Sequence, residues 1–371
     1  MLDRIKELIP LGAQTFSKSY LQWPVPLVLE RGNGARVWDC EGREYIDYVG
    51  ALLPIILGYR DPDVDAAIRA QLEKGISFSF PTPLELELAE LLHRLIPSAE
   101  MVRFGKNGSD VTTAAVRLAR YHTSRTEILY CGYHGWHDWS IRHKTMNGIA
   151  PQWSAYFDPE EVIDKISDDI AAVVVEGGAE PEYLRAIRRV CSHYGAVMIL
   201  DEIITGFRLN MGGAQKEYGI TPDLSTFGKA MGNGMPISAL VGEREIMKKC
   251  EDIFFSGTFM GECLSLAAAI ATIKKLERLN VPQKLKDCGL GLLCLPDVTG
   301  EPWRPQITVP DQSLWRQEAI KHGLIAGTHF NLMLAHCNGD ILYETTNKYC
   351  DILETMKTAT LEGPPMRAPI R

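Results

Sequence analysis

A single lysine, Lys229, stands in a context that favours chemistry over solvation. It follows a mostly apolar run, lies among turn-forming glycines and precedes the strand-like segment 237–241. A lysine in a partly apolar pocket has its ammonium form disfavoured, so we expect its pKa to fall. The neutral amine is then a nucleophile for a carbonyl group. Residues 222–242 therefore predict a lysine that reacts with a carbonyl compound.

Two features before Lys229 could bind other groups of a cofactor that carries a carbonyl. Residues 196–200 predict a buried strand that ends in Asp201, at the edge where α/β proteins bind ligands. Residues 101–110 run from a short strand through glycines into a helix, and N–H groups at a helix start, with the Ser109 hydroxyl, suit a phosphate dianion. A lysine Schiff base, an acid at a ring nitrogen and a phosphate cradle are the binding features of pyridoxal phosphate.

The elements that must position these residues alternate between strand and helix. Such alternation favours an α/β fold with a mostly parallel sheet and helices on both faces. We predict strands at 101–104, 127–131, 171–176, 196–200 and 237–242, and helices at 111–121 and 182–194.

The two ends of the chain differ from this central part. Residues 27–48 alternate around Gly-containing turns, which predicts a small antiparallel meander. Helical patterns are expected at 313–322 and 349–361. We therefore divide the chain into residues 1–60 with the meander, a large domain at 61–280, and a C-terminal small domain at 281–371.

Composition limits the class of protein. The 371 residues are 46% hydrophobic, which is enough for one large core or two, and the net charge of −8 argues against a nucleic-acid partner. Nine cysteines without metal-type spacing fit a reducing compartment, so we expect a cytoplasmic location. No segment reaches the roughly 20 apolar residues of a membrane span.

Five short motifs together resemble one enzyme family: residues 108–110, 133–138, 200–208, 227–230 and 256–259. They are similar to those of class III pyridoxal-phosphate aminotransferases, and most of all to the glutamate-1-semialdehyde 2,1-aminomutase-like branch. The resemblance implies fold type I, with a large domain and a small α+β domain built from both chain ends. It also indicates a C-terminal domain shorter than is usual for the family.

The resemblance also assigns the site residues. It implies that Tyr133 stacks on the cofactor ring with Ile203 on the other face, and that Thr258 reaches the cofactor phosphate of the neighbouring subunit in a homodimer. Lys229 and Asp201 are the expected catalytic residues. The full set of expected cofactor-binding residues is Asn107, Gly108, Ser109, Tyr133, His134, Glu176, Asp201, Ile203, Lys229 and Thr258.

Other interpretations of the same residues stay open at this point. Cys131, His134 and His137 are of types that bind zinc, although no convincing fourth ligand stands nearby. The run 200–202 is similar to a Walker B strand, but the chain has no Gly-x-x-x-x-Gly-Lys-Ser/Thr string. Thr258 could instead cap a helix at 264–276. A loop over 135–160, with Trp136, Trp139 and Trp153, could line the opening of the site.

The resemblance implies an aminotransferase that moves an amino group between an amino donor and a carbonyl acceptor. An incoming amine displaces Lys229 from its Schiff base, and the freed amine then transfers a proton from the substrate carbon to the cofactor. An intramolecular aminomutase or a decarboxylase would use the same residues. A non-catalytic binding protein is a further alternative, which the combination of Lys229, Asp201, Gly108 and Ser109 disfavours.

Overall fold

A computed structural model describes residues 1–142, 148–149 and 154–367. The chain divides into two compact units. Among the described residues, one unit contains residues 1–61 and 283–367, and the other contains residues from 62 to 282. Among the helices of the described residues, none has the length and apolar character needed to span a bilayer.

Thirteen strands are present in the described ranges. They are β1 (Leu29–Asn33), β2 (Arg36–Asp39), β3 (Glu44–Asp47), β4 (Met101–Gly105), β5 (Glu127–Tyr130), β6 (Ser154–Tyr156), β7 (Ile170–Glu176), β8 (Val197–Asp201), β9 (Leu224–Phe227), β10 (Ser238–Gly242), β11 (Val298–Thr299), β12 (Gln306–Ile307) and β13 (Leu324–Ile325).

The same part of the chain contains twelve α-helices. They are α1 (Leu2–Leu8), α2 (Pro62–Leu72), α3 (Pro83–Leu95), α4 (Gly108–Thr123), α5 (Pro159–Lys165), α6 (Pro181–Tyr194), α7 (Gly213–Tyr218), α8 (Arg244–Met247), α9 (Cys263–Leu279), α10 (Val281–Leu292), α11 (Gln312–Lys321) and α12 (Gly339–Met356).

The unit of residues 62–282 is built on a sheet whose described strands follow the order β4-β10-β9-β8-β7-β5-β6. All neighbours pair in parallel except β10, which is antiparallel to both β4 and β9. Alternate residues of β7 face opposite apolar layers. Val174 packs in the layer that contains α4, whereas Val173 and Val175 pack in the layer that contains α6. Burial on both faces explains why β7 is apolar almost throughout.

The register of the parallel strands places two carboxylates side by side. Glu176, the last residue of β7, pairs with Asp201, the last residue of β8. Both therefore lie at the carboxyl edge of the sheet, where ligands bind in open α/β folds. The α/β class with a mostly parallel central sheet is confirmed.

The unit of residues 1–61 and 283–367 has its own sheet, in the order β1-β2-β3-β13. The predicted meander is present as β1 to β3, and β13 from the C-terminal part adds in parallel to β3. The prediction for the terminal helix was wrong in its position. Helix α12 begins at Gly339, where the side chain of Asn338 accepts a hydrogen bond from the Asp340 N–H at 2.8 Å.

Candidate active site

Helix α4 begins at the end of a short loop from the edge strand β4. Asn107 is its N-cap, and the Asp110 carboxylate accepts the Asn107 N–H at 2.7 Å. Ser238, the first residue of β10, donates its hydroxyl to the Asn107 carbonyl oxygen at 2.9 Å. The N–H groups of Gly108 and Ser109 have no earlier helical turn to bind, and the helix dipole favours an anion there. This turn therefore has the character of a phosphate site.

Asp201 ends β8 as a buried carboxylate with three donors. Its Oδ2 lies 2.8 Å from Nδ1 of His134, and its Oδ1 accepts the Ile203 N–H at 3.0 Å and the Thr226 hydroxyl at 3.5 Å. Asp201 is 7% exposed and His134 only 3%. These bonds fix the carboxylate in one orientation at the carboxyl edge of the sheet.

The partners of His134 define its charge. Its Nδ1 faces the Asp201 carboxylate, and its Nε2 lies 2.7 Å from the Cys131 carbonyl oxygen. Because both partners are acceptors, we assign a proton to each ring nitrogen. Burial lowers the pKa of His134, but the hydrogen bond and the charge of Asp201, with the charge of Glu176, raise it overall. His134 is thus an imidazolium that makes a charge-assisted hydrogen bond to the Asp201 carboxylate. Sequence reasoning assigned it to the cofactor itself.

We expect replacement of His134 by glutamine to destabilise the protein in a pH-dependent way. Because the pKa of His134 is raised in the folded state, its interaction with Asp201 stabilises the fold fully below about pH 6.5, the ordinary pKa of histidine. This stabilisation is lost as the pH rises through the folded-state pKa. Urea unfolding of the cofactor-free variant should show a loss of about 3 kcal/mol at pH 6 that shrinks towards pH 10. The exposed His193, changed to glutamine, is the control and should show no such trend. A loss that is constant across this pH range would contradict the assigned charge.

The loop after β5 passes very close to the start of α4. Gly135 has a φ of +104°, and a Cβ at this position would overlap Oγ of Ser109. The next residue, Trp136, donates its N–H to the same Oγ at 3.3 Å. Glycine is therefore required at 135 both by conformation and by space. Sequence reasoning did not single out Gly135, although it belongs to the quoted motif 133–138.

The variant Gly135→Ala should test this close approach. Gly219 provides a matched control, because it also has a positive φ of +65° but has open space where a Cβ would be. Both substitutions place an alanine at positive φ, and Gly135→Ala adds a larger φ and a clash with Ser109. We expect Gly135→Ala to lose about 2 kcal/mol more than Gly219→Ala in denaturant unfolding. Equal losses would show that Ser109 moves away without cost.

Ile203 brings three of the predicted parts together. A Cβ on Gly108 would lie 3.2 Å from Cδ1 of Ile203, and a Cβ on Gly228 would lie 3.1 Å from the same atom. Ile203 itself follows Asp201 by two residues. The start of α4, the end of β8 and the residue before Lys229 therefore pack around one side chain.

Lys229 begins a single 3-10 turn, Lys229–Gly232, directly after Gly228. Its side chain is half-buried, and its φ of +42° lies in the left-handed region. The charge of Lys229 acts on Glu176, which places the ammonium near the carboxyl edge of the sheet.

Glu176 and Tyr133 form one wall of this edge. The Tyr133 N–H donates to Oε2 of Glu176 at 3.3 Å, and a Cβ on Gly132 would overlap the same oxygen. Burial raises the pKa of Glu176, as does the charge of Asp201, while His134 and Lys229 act in the opposite direction. The Tyr133 ring is 47% exposed.

Two expectations need correction. Thr258 is not the cap of a helix, because α9 begins at Cys263 and its N-cap is Glu262, whereas Thr258 lies in the exposed run 256–259. Trp139 does not line an opening, because it is 4% exposed and stacks on His134 with 6.1 Å between ring centroids. Trp136 is 72% exposed, and Trp153 lies outside the described residues.

Glu202, next to Asp201, belongs to the scaffold. It is fully buried, and its carboxylate accepts the N–H groups of Ala214 at 2.8 Å and Gln215 at 2.9 Å in the first turn of α7. Asp201 therefore lies at the edge of the site, whereas Glu202 caps a helix.

The residues present fit pyridoxal phosphate. The turn at 107–109 suits the phosphate, the Asp201 carboxylate is fixed by hydrogen bonds at the carboxyl edge as a partner for a ring nitrogen, and Lys229 lies near the same edge.

Residues 17–293 match the aminotransferase class-III family, so the chain belongs to that family. It is 36% identical to the 3-aminobutyryl-CoA aminotransferase of Cloacimonas acidaminovorans (strain Evry), with 94% of this chain and 92% of that protein aligned. It is 38% identical to a glutamate-1-semialdehyde 2,1-aminomutase of Desulfatibacillum aliphaticivorans over 68% of this chain and 67% of that one. The FumI protein of Sphingopyxis sp. MTA144, solved in its PLP internal aldimine form, matches with a TM-score of 0.89 and 30% identity, over 97% of each chain.

These findings confirm the predicted class and cofactor. The protein is a pyridoxal-phosphate-dependent aminotransferase of fold type I.

Proposed function

We propose that Lys229 is the residue that carries the cofactor and moves the substrate proton. The observation that supports this most is the packing of Gly108, Ile203 and Gly228 around one point, which brings the phosphate turn and the lysine turn to the end of β8. Asp201 would hold the ring nitrogen, and Gly108 with Ser109 would hold the phosphate. Tyr133 and Ile203 would contact opposite faces of the ring, with Asn107, His134 and Glu176 as supporting residues.

Bound pyridoxal phosphate supplies an electron sink for the charge left on a substrate carbon when its proton departs. The protein's own groups do the rest. Asp201, oriented by its hydrogen bond with His134, would hold the proton on the ring nitrogen. The Nζ of Lys229 would take the proton from the substrate carbon and then donate it to the cofactor, as a general base and then acid. Glu176, with its raised pKa, lies close enough to Lys229 for the two charges to interact.

We propose a donor whose amine is borne on a carbon other than the α-carbon of an amino acid. The relative matched over 94% of this chain bears the name 3-aminobutyryl-CoA aminotransferase, which specifies an amine on the third carbon of an acyl group. The second candidate is an intramolecular aminomutase, favoured by relatives of that name that are 38% identical over shorter stretches. Decarboxylation is a third reaction that the same residues could support.

Half-reactions separate these candidates. The reconstituted protein is mixed with single compounds, namely 3-aminobutyryl thioester, a β-amino acid, glutamate-1-semialdehyde, and an α-amino acid as control, and the visible spectrum of the cofactor is followed. A β-amino donor should convert the cofactor to its amine form and release a carbonyl product. Conversion by the α-amino acid alone would overturn the proposed substrate class. Conversion of glutamate-1-semialdehyde into its isomer, with no second compound, would identify a mutase.

We also propose a homodimer in which Thr258 reaches the neighbouring subunit's cofactor. Large apolar side chains are exposed on two segments of the chain. Phe80 is 83% exposed on the first segment, and Phe254 and Phe259 are 80% and 64% exposed on the second. The segments are joined where Cys263 donates its N–H to the Ile76 carbonyl oxygen at 2.8 Å. An exposed apolar surface of this kind is typical of a subunit interface. A sedimentation mass equal to one chain would contradict the dimer.

The remaining proposals concern domains and location. Residues 61–280 would form the cofactor-binding domain, and residues 1–60 with 281–371 the small domain, in keeping with the two compact units. The nine cysteines all lie within the described ranges and all are free thiols, which supports a reducing compartment such as the cytoplasm.

A further inference from the structure

An ion pair joins the starts of two helices beside the phosphate turn. The Nζ of Lys106 lies 2.9 Å from Oε2 of Glu262, and these side chains are only 17% and 13% exposed. Lys106 immediately precedes Asn107, the N-cap of α4, and Glu262 is the N-cap of α9. The pair therefore connects the turn proposed to bind phosphate with the end of the segment that carries Thr258.

The Glu262 carboxylate is fixed by more than this contact. Its Oε1 accepts the Leu264 N–H at 2.5 Å, and its Oε2 accepts the Ser265 hydroxyl at 2.6 Å. Burial raises the pKa of Glu262, but the bonds from Ser265 and Lys106 outweigh it and lower the pKa overall. Glu262 is thus an ionised anchor that holds the Lys106 ammonium in place.

Helix stability does not explain a lysine at this position. The amino end of a helix carries partial positive charge, so a nearby cation disfavours the helix, while acidic groups such as Asp110 favour it. A phosphate dianion at Gly108 and Ser109 would reverse the sign of this effect. The cost of placing Lys106 here would then be offset when the phosphate binds.

We infer that Lys106 is a positioning residue for the cofactor phosphate, and that its pair with Glu262 couples phosphate affinity to residues 254–262. This inference rests on the proposed function, since it takes the turn at 107–109 as the phosphate site. The Lys106 ammonium adds favourable charge at the turn, and Glu262 holds it there. Loss of either partner therefore weakens cofactor binding without removing any group that reacts.

The test measures binding by the cofactor-free protein. Pyridoxal phosphate is titrated by absorbance, and inorganic phosphate is used as a competing probe, with Lys106→Met, Glu262→Gln and the double variant. Glutamine keeps an acceptor for the cap of α9, so this variant should stay folded, which a thermal melt checks. We expect each single variant to bind about tenfold more weakly, and the double variant to lose no more than Lys106→Met, because the two residues act as one unit. The kcat at saturating cofactor should change little.

The matched control is Lys274→Met, which breaks an exposed pair with Glu87 whose side chains are 57% and 43% exposed, and which should bind as the parent does. The loss in Lys106→Met should also shrink at high salt. Unchanged affinity for both ligands in Lys106→Met, with weakened affinity in Ser109→Ala, would overturn the inference and leave the phosphate turn intact. Unchanged affinity in Ser109→Ala as well would instead count against the proposed phosphate turn.

Discussion

Replacing Lys229 by alanine is expected to lower the rate of amino transfer by about 10⁴-fold, the upper range for loss of one general base. The methyl side chain cannot take the proton from the substrate carbon, and no other amine is expected to replace it at the edge formed by Glu176 and Asp201. The measurement is a single-turnover half-reaction with the best donor of the panel, at saturating cofactor. The variant should also lose the attachment of the cofactor to the protein that borohydride makes permanent.

Lys216→Ala is the control for this prediction. Lys216 is an exposed lysine of α7 in the same unit and should be replaceable without effect on rate or attachment. Peptide mapping of the reduced parent protein should find the cofactor on Lys229. Its recovery on another lysine, or a Lys229→Ala variant within tenfold of the parent rate, would remove the central residue from the proposed site.

The second large effect is expected for Asp201→Asn, with kcat about 10³-fold lower per folded protein. An asparagine amide cannot stabilise a positive charge on the ring nitrogen, so the cofactor becomes a poorer electron sink. The substitution also leaves His134 beside a neutral group, which removes the main cause of its raised pKa. Nitrogen-15 spectra of the cofactor-free protein should therefore show His134 doubly protonated at pH 7 in the parent and neutral in Asp201→Asn.

Glu202, the acid next to Asp201, tests whether the two carboxylates have different roles. Glu202→Gln should lower the melting temperature, because Glu202 caps α7, while the folded fraction keeps a kcat near that of the parent. If Glu202→Gln and Asp201→Asn lowered kcat equally, the separation of the two carboxylates by role would be wrong.

Sequence reasoning located the elements with a strong pattern. Strand β7 is buried on both faces, so an apolar run of nearly its full length predicts it, and β8 was found for the same reason. The candidate site residues were proposed because each follows a strand or begins a helix, where exposed backbone groups and charged side chains coincide. Strand β9 was missed, because the polar residues Ser225 and Thr226 interrupt its apolar pattern.

What the sequence could not predict depends on contacts between distant segments. The hydrogen bond between His134 and Asp201 spans 67 positions of the chain, and no local pattern indicates that this histidine bonds the carboxylate. The alternative interpretation of Thr258 as the N-cap of α9 rested on the preference of threonine for caps, but the helix begins only at Cys263. Glu262 is the N-cap instead, and its negative charge is paired with the ammonium of Lys106. The site residues themselves remain predictions until the variants are measured.

The left-handed backbone at Lys229 has its own consequence. A non-glycine residue in this conformation costs roughly 1–2 kcal/mol, so the surrounding fold must hold the main chain of Lys229 in one state. Any travel of the amine between cofactor and substrate must then come from rotation about the four methylene groups of the side chain. The amine would thus move only by rotation of its side chain about a fixed main chain. Shortening that side chain, as in Lys229→Orn introduced by chemical synthesis, would separate the effect of its length from the effect of its basicity.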